Sequence, residues 1–516
     1  MQYYGNMRTA QKILLFCPPF QGHFNVLRDL VLASDDRFDW RIIITGWTNI
    51  PLDLGSLSKL STVVATKELH ETDPALWTLP RVVSLLNSCL QITADYQPDL
   101  IIYDFFSLEG KFVGDHLDIP AWSSIPAFIG TFAHKDYLLN KLASNENVKA
   151  MQILRSHYDI SLSPNDIEMV SDGLHLPSDM NLVWSYKSVV SANFMSNRHD
   201  KPYILIGSSK NLSPITKTLD ERAKPTVYIS FGTVVMNNLW DQQNELRQNF
   251  TSFITKLADT WKDKPWTIIF VTQGKEILTS YPENWVVKTS VDQPEILKKV
   301  DLFITHGGSN SFHESLLAGT PMAVIPFFGD QPLVAKSVER LGLGINLVPD
   351  ATIDTHSSKS FLNDNLVAHL DKSVQKIVKN PAYKERVKAT NLSNADVYKT
   401  IHGVIDFHEG DLLYGTNCAR KKYVDDNSLQ NEFGILEFKA FSELAAHDDS
   451  LPRIVDIYHD VILDKSHFEK DNRSELSSYI KHLNEYKEYL RGETDFEKMC
   501  IKGLISSLKN TKFISY

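Results

Sequence analysis

Apolar and polar positions in the first half of the chain alternate between two spacings. Short runs rich in Ile, Leu or Trp, at Lys12 to Cys17, Arg41 to Thr45, Leu100 to Tyr103 and Pro120 to Ser124, read as buried strands. Between them, Phe24 to Ala33, Arg81 to Tyr96 and Ser107 to Leu117 carry apolar residues at helical spacing. Short apolar strands alternating with helices predict a parallel sheet covered on both faces. From Asn147 to Ser196 the pattern is less regular and more helical, as an insertion would be.

A polar stretch from Ser208 to Lys224, with Pro214 inside it and Pro225 after it, reads as a linker. The alternation then restarts. Strands are expected at Thr226 to Phe231, Trp266 to Val271, Trp285 to Lys288, Asp301 to Thr305 and Met322 to Ile325, with helices at Ser311 to Ala318 and Pro332 to Leu341. The expected division is an N-terminal Rossmann-like domain over 1–207, a linker over 208–225, a C-terminal Rossmann-like domain over 226–409 and a mainly helical extension over 410–516. In the extension, Asn472 to Leu490 places Leu476, Ile480, Leu483, Tyr486 and Leu490 on one helix face, with Asn472 and Glu475 spaced as a capping box and Gly492 as a stop. Ligands of parallel α/β sheets bind outside the carboxyl ends of the strands, so two facing domains place the site in the cleft between them.

Composition narrows the class. The 516 residues are 43% hydrophobic and 22% charged, ordinary for a globular protein. The net charge is −10, from 63 acidic and 53 basic residues with no Lys/Arg block, which argues against nucleic acid as a partner. Cys17, Cys89, Cys418 and Cys500 lie far apart without a CxxC pair and read as buried thiols of a reducing compartment, the cytoplasm. No run approaches the ~18 apolar residues of a membrane span. Ile13 to Phe20 is broken by Pro18 and Pro19 and reads as a strand entering a turn, not as a signal peptide. A monomer or weak homo-oligomer is expected.

The segment richest in chemistry is Asp301 to Gln331. A strand ends at Thr305, a turn carries His306, Gly307 and Gly308, and a helix opens at Ser309 or Asn310. Such a turn is often purely structural, but its glycines admit a ligand close to the backbone and the helix N-terminus offers unpaired N–H groups to an anion. Asn310 and Ser311 add short donors, and His306 adds a donor or a positive charge. Glu314 follows on the same helix, where a carboxylate can accept ribose hydroxyls, and Asp330 and Gln331 end the next strand. Together these residues predict a nucleotide-sugar site.

This segment resembles the signature of the UDP-glycosyltransferases, inverting enzymes of family 1 with the two-domain GT-B fold. The resemblance is dense over Val291 to Gly344, where VDQPEIL, THGGSNSFHE, GTPM and PFFGDQ occur in order, and thinner over about Lys12 to His408. It implies that His306, Gly308, Ser309, Asn310 and Ser311 bind the diphosphate, that Glu314 binds ribose and that Asp330 and Gln331 bind sugar hydroxyls. The Pro-Gln step near the base falls on Gln293, with Ser290 and Val291 beside it, and the SFGT turn on Ser230 to Thr233, placing Gly232 and Thr233 at the donor. Two departures stand out. Ser290 occupies the place of a base-stacking Trp, and Asp292 that of the usual proline; Trp285, five residues before Ser290, is no simple substitute.

A second constellation is Phe20-Gln-Gly-His23-Phe-Asn25, after the first strand. On its own, His23 reads as a helix-terminal hydrogen-bonder. The resemblance makes it the catalytic base, with Val26 at a family proline and Asp104, ending the run PDLIIYD, as its partner. Asp104 also suits an N-cap for the helix near Ser107. The implied reaction moves a sugar, glucose first, from a UDP-sugar co-substrate to an acceptor hydroxyl with inversion. Neither cofactor nor metal is expected, since the sequence has no Asp-x-Asp pair or His/Cys cluster.

Aromatic residues on N-terminal loops, Phe20, Trp77, Phe105, Phe106, Trp122, Phe128 and Phe132, are candidate walls for a small lipophilic acceptor: a phenol, sterol, polyketide or hydroxy fatty acid. Taken singly, each of these residues suits core packing better than a pocket wall. Two other classes stay open: a nucleotide-sugar epimerase or hydrolase on the same fold, and a non-catalytic nucleotide-sugar-binding or regulatory partner.

Overall fold

The computed structural model describes residues 11–34, 38–47, 52–66, 79–129, 143–162, 168–170, 173–178, 180–186, 188–190, 203–209, 224–351, 361–390 and 392. The expected extension over 410–516, Cys418, Cys500, Trp77, Phe132 and most of the linker lie outside them.

The N-terminal half runs β1 (Gln11–Cys17), α1 (Gln21–Ala33), β2 (Phe38–Trp47), β3 (Ser61–Thr66), α2 (Leu79–Tyr96), β4 (Leu100–Asp104), α3 (Leu108–Leu117), β5 (Ala121–Ile125) and α4 (Asn145–Tyr158). A hairpin of β6 (Glu168–Val170) and β7 (Gly173–His175) follows, then β8 (Asn181–Val183) and β9 (Tyr203–Leu205). Seven strands form a sheet in the order β3-β2-β1-β4-β5-β8-β9, every pairing parallel. The region read as an insertion is therefore not all peripheral. Its helix is α4, but β8 extends the sheet by pairing Ser123 with Asn181. Strand β3 was not expected; it is a sheet edge with Val63 half exposed, so it lacks the continuous apolar run of its neighbours.

The C-terminal half runs β10 (Thr226–Ser230), a π-helical turn (Val234–Leu239), α5 (Asn244–Trp261), β11 (Thr267–Val271), β12 (Trp285–Lys288), α6 (Gln293–Leu297), β13 (Leu302–Thr305) and α7 (Ser309–Ala318). It continues through β14 (Met322–Val324), α8 (Gln331–Arg340), β15 (Gly344–Asn346), α9 (Asp364–Lys379) and α10 (Ala382–Ala389). Its parallel sheet has the order β12-β11-β10-β13-β14-β15.

Both sheets are buried on both faces, as the strand composition requires. Along β1, Ile13, Leu15 and Cys17 enter one core cluster and Leu14 and Phe16 the other. Along β10, Val227 and Ile229 face one core and Tyr228 the other. In each sheet the first strand is flanked by the second and the fourth to be threaded through it, so the strand order reverses beside β1 and beside β10. Crevices at such reversals are where ligands of open α/β sheets bind. Gly22 and His23 open the helix that follows β1 and Asp104 ends β4; Gly232 follows β10, and the turn from His306 to Gly308 follows β13 and leads into Ser309.

The halves meet along a packed seam. Phe128, Tyr186 and Val189 share a core cluster with Phe312, Leu316 and Val334. Arg340 Nη2 donates to the Val189 carbonyl at 3.1 Å.

Candidate active site

His23 sits in the first turn of α1, directly after the β1 loop, and Asp104 ends β4. Parallel pairing of Phe16 with Tyr103 brings these strand ends side by side. His23 Nδ1 lies 2.8 Å from Asp104 Oδ2. An ionised carboxylate only accepts, so Nδ1 carries the proton and Nε2 keeps its lone pair. Asp104 is fully buried, and its other oxygen accepts the Phe106 N–H at 2.9 Å. That turn contact replaces the expected N-cap role: the residue capping α3 is Ser107, and its side chain makes no capping bond.

Aromatic rings collar the imidazole. Phe105 and Phe106 stack near it, with centroids at 5.8 Å and 5.2 Å, and Phe20 lies at 5.7 Å. Phe20 and Phe106 are partly exposed, whereas Phe105 is buried beneath them. Two expected wall residues fall elsewhere. Trp122 is packed in the core with Phe24 and Trp184, because the alternation along β5 turns it inward. Phe128 is buried edge-on against Phe312 in the seam. Cys17 lies close enough for Asp104 to act on it, but burial above all, with the Asp104 charge second, pushes its thiol up, so it stays protonated beside the pair. Cys17 and Cys89 are both free and buried.

On the facing side α7 opens at Ser309, its N-cap Gly308 makes no side-chain cap, and the first-turn N–H groups stand as a donor set. His306 is held between two glycines. Gly232 has φ of 72°, and a Cβ there would lie 2.5 Å from the imidazole; a Cβ on Gly308 would lie 2.6 Å from Nε2. Burial pushes His306 down to about 4, offset in part by a hydrogen bond to the Ser230 backbone. The expected positive charge is thus absent at neutral pH in the ligand-free protein, because desolvation favours the neutral ring.

Gln293 opens α6, where Asp292 caps the helix by accepting from the Glu295 N–H. The departure from proline thus supplies an N-cap. Gln293 Nε2 donates to Ser311 Oγ at 3.0 Å and to Glu314 Oε2 at 2.8 Å, while Tyr228 donates to Gln293 Oε1 at 3.0 Å. Tyr228, which sequence reasoning missed, is the brace that fixes this amide. Ser290 is exposed, Val291 is partly buried, and Thr233 is exposed beside Gly232. Trp285 is buried among Trp261, Phe270 and Tyr281, which excludes it as a stand-in at Ser290.

Asp330 and Gln331 begin α8. Gln331, itself buried, accepts the Phe327 and Phe328 N–H groups through Oε1 at 2.8 Å and 3.2 Å, so that its amide hydrogens are the donor end of the side chain. Asp330 Oδ2 accepts the Phe128 N–H across the seam at 2.6 Å. Another crossing contact went unforeseen. His313 Nδ1 lies 2.8 Å from the Ser309 carbonyl and donates to it, so Nε2 accepts from Ser185 at 3.0 Å. Among the described residues no group of three or more His, Cys, Asp or Glu side chains is arranged to hold a metal ion, and no helix is long and apolar enough to cross a membrane.

The chain matches the family described as UDP-glucoronosyl and UDP-glucosyl transferase over residues 195–396. It is 29% identical over 331 residues to the NDP-glycosyltransferase YjiC of Bacillus subtilis (strain 168), covering 62% of this chain and 79% of that protein. A shorter stretch, 27% of this chain and 11% of the relative, is 32% identical to a sterol 3-beta-glucosyltransferase of Vanderwaltozyma polyspora. Among solved structures, the calicheamicin glycosyltransferase CalG4 aligns with a TM-score of 0.56 at 20% identity, over 78% of this chain and 98% of that one. The kitacinnamycin glycosyltransferase aligns with a TM-score of 0.55 at 19% identity, over 78% and 99%. These likenesses show the same two-domain arrangement.

Proposed function

Since the chain belongs to the UDP-glycosyltransferase family and is a family 1 glycosyltransferase of GT-B fold, we propose that it transfers glucose from UDP-glucose to a hydroxyl of a small lipophilic acceptor, with inversion and with His23 as general base. The observation that carries this reading is the His23–Asp104 contact at 2.8 Å, in a base step whose Gly22 carbonyl is hydrogen-bonded to Asn310 of α7.

The acceptor O–H faces Nε2 of His23. As its oxygen attacks the anomeric carbon, the proton passes to Nε2, the bond from that carbon to the diphosphate oxygen breaks, and its electron pair leaves with UDP. Asp104 holds the tautomer and offsets the imidazolium charge that forms. The α7 N-terminus, with Ser309, Asn310 and Ser311, takes the diphosphate. Its negative charge offsets the burial that keeps His306 neutral, so the ring gains a proton as the donor binds. Glu314 accepts from ribose, Gln293 reads the base, and Asp330 and Gln331 meet the sugar hydroxyls. Attack from the face opposite the leaving group turns an α-linked donor into a β-glycoside. No cofactor or metal takes part.

Phe20 and Phe106 beside the base favour a lipophilic acceptor. The stretch resembling a sterol 3-beta-glucosyltransferase supports including sterols among the candidates. The free, buried Cys17 and Cys89 suit a cytoplasmic enzyme.

The test is incubation with UDP-glucose and a panel of phenols, sterols and hydroxy fatty acids, followed by mass spectrometry for UDP and glycoside. Product from wild type and almost none from His23→Ala is expected. Equal product from the variant would remove His23 as the base. UDP binding without turnover on any acceptor would instead favour a non-catalytic nucleotide-sugar-binding protein.

A further inference from the structure

A cavity of about 550 Å³ opens beside β15, the edge strand of the C-terminal sheet. It lies at the far end of α8 from Gln331, a helix of ten residues and so ~15 Å long. The donor cleft and this cavity share no lining residue.

The cavity wall is cationic. Lys372 and Lys376 stand one turn apart on α9, and Arg386 reaches in from α10. None of the three has an ion-pair partner among the described residues, whereas acids elsewhere on α9 are paired: Asp364 with Lys256 and Asp371 with Lys264. Glu339 is the acidic residue at the rim, so cationic charge prevails there in a chain whose net charge is −10. Like charges held together without counter-charges are unfavourable unless an anion joins them.

Two buried polar side chains in the same wall are unused. Asn346, 3% exposed, accepts the Val348 N–H through Oδ1 but makes no hydrogen bond through Nδ2. Ser373, also 3% exposed, makes none through Oγ. Both side chains are almost wholly buried, and each keeps a polar atom open to the cavity, where it is available to a ligand. Arg386 is placed in advance. A Cβ on Gly342 would fall 2.6 Å from its Nη1, so the guanidinium occupies the slot this glycine leaves, 6.0 Å from the Tyr383 ring centroid.

We propose that this cavity binds the phosphoryl group of a phosphate ester. A guanidinium, two ammonium groups, an amide and a hydroxyl line this one cavity as donors, and a phosphoryl group presents several acceptor oxygens to such a set. The ester is a soluble metabolite or a lipid headgroup; the phosphoryl chemistry is the same.

The experiment uses the full chain saturated with UDP, so that the donor site is blocked, and titrates inorganic pyrophosphate by calorimetry. Saturable binding is expected. Lys376→Glu and Arg386→Glu, both at exposed positions, should weaken it about tenfold or more. Asn346→Leu should weaken it too without changing charge, which diffuse surface attraction would not produce. If that variant does not fold, Ser373→Val takes its place. A parallel flotation assay uses phosphatidylcholine vesicles with and without phosphatidic acid. Retention on the acidic vesicles, lost in Arg386→Glu, identifies a lipid source; pyrophosphate binding without retention identifies a soluble one. Neither binding nor retention, or binding unchanged in both charge-reversed variants, overturns the proposal.

Discussion

Asn310 on α7 donates through Nδ2 to the carbonyl oxygen of Gly22, the residue before His23, at 3.0 Å. One side chain thus joins α7 to the turn that carries His23, 288 positions earlier in the chain. Removing it in Asn310→Ala leaves that distance unset. The expected result is a fall in kcat/KM of about tenfold, the kinetic equivalent of roughly one hydrogen bond, with little change in melting temperature. Steady-state kinetics on any acceptor that turns over checks this; an unchanged kcat/KM would show that the link is incidental.

Asp104→Asn tests the dyad more finely than deletion does. Both Asp104 oxygens accept, one from His23 and one from the Phe106 N–H. An asparagine must aim its NH2 at one of these donors. Aimed at His23, it reverses the tautomer and removes the lone pair from Nε2; aimed at Phe106, it disrupts the turn. The expected loss in kcat is about 10²–10⁴-fold with UDP affinity retained.

Acid should destabilise the fold through its neutral histidines. Burial lowers His306 and His313 from 6.5 to about 4. The unfolded chain therefore binds their protons first, and the stability they support is intact above pH 6.5 and lost as pH falls toward 4. The melting temperature should drop over this window, and less steeply in His313→Asn. UDP binding near pH 6 should draw in a proton at His306, which calorimetry in buffers of different ionisation enthalpy would register (about pH 6 lies between the two values). A net uptake of zero would make His306 a purely structural brace.

Arg81 and Glu109 form a buried ion pair at 2.9 Å beneath the turn after Asp104, and Arg81 Nη2 also donates to the Phe106 carbonyl at 3.2 Å. Burial raises Glu109, and the Arg81 charge opposes that. Arg81→Ala leaves a carboxylate without its counter-charge and should cost about 3–5 kcal/mol in chemical denaturation. Arg81→Met with Glu109→Leu should recover most of this, since two apolar groups leave no charge stranded.

Strand and helix positions were legible wherever the apolar run was continuous. Trp285–Lys288 matches its expected bounds, and the helix opens at Ser309, one of the two positions the turn reading gave and two residues before the periodic segment Ser311 to Ala318. The misses have physical causes. Strands β8 and β9 have three residues each, too few to show a period, and β8 became a strand through its tertiary pairing with β5. Trp122 takes the core place that each aromatic singly suits better; composition does not reveal which face of a strand a side chain takes, and that parity separates pocket from core. The motif residues Glu314, Gln293 and Ser311 were legible as a pattern. The Gln293 amide joins them, and what braces that amide is Tyr228, one residue of an ordinary-looking strand; no local signal marks a side chain whose partner is 65 positions away.

The rings around His23 bear on a competition that every sugar-transferring enzyme faces. Water is the most abundant nucleophile in the cell, and an activated donor given to it is wasted. With Asp104 sealed from solvent and His23 emerging between Phe20, Phe105 and Phe106, the imidazole has apolar neighbours on several sides. A stray water there would forgo hydrogen bonds that an acceptor's carbon frame does not require. On the role proposed for His23, the collar favours alcohol over hydrolysis, and the side chains that steady the ring also set the fidelity of transfer.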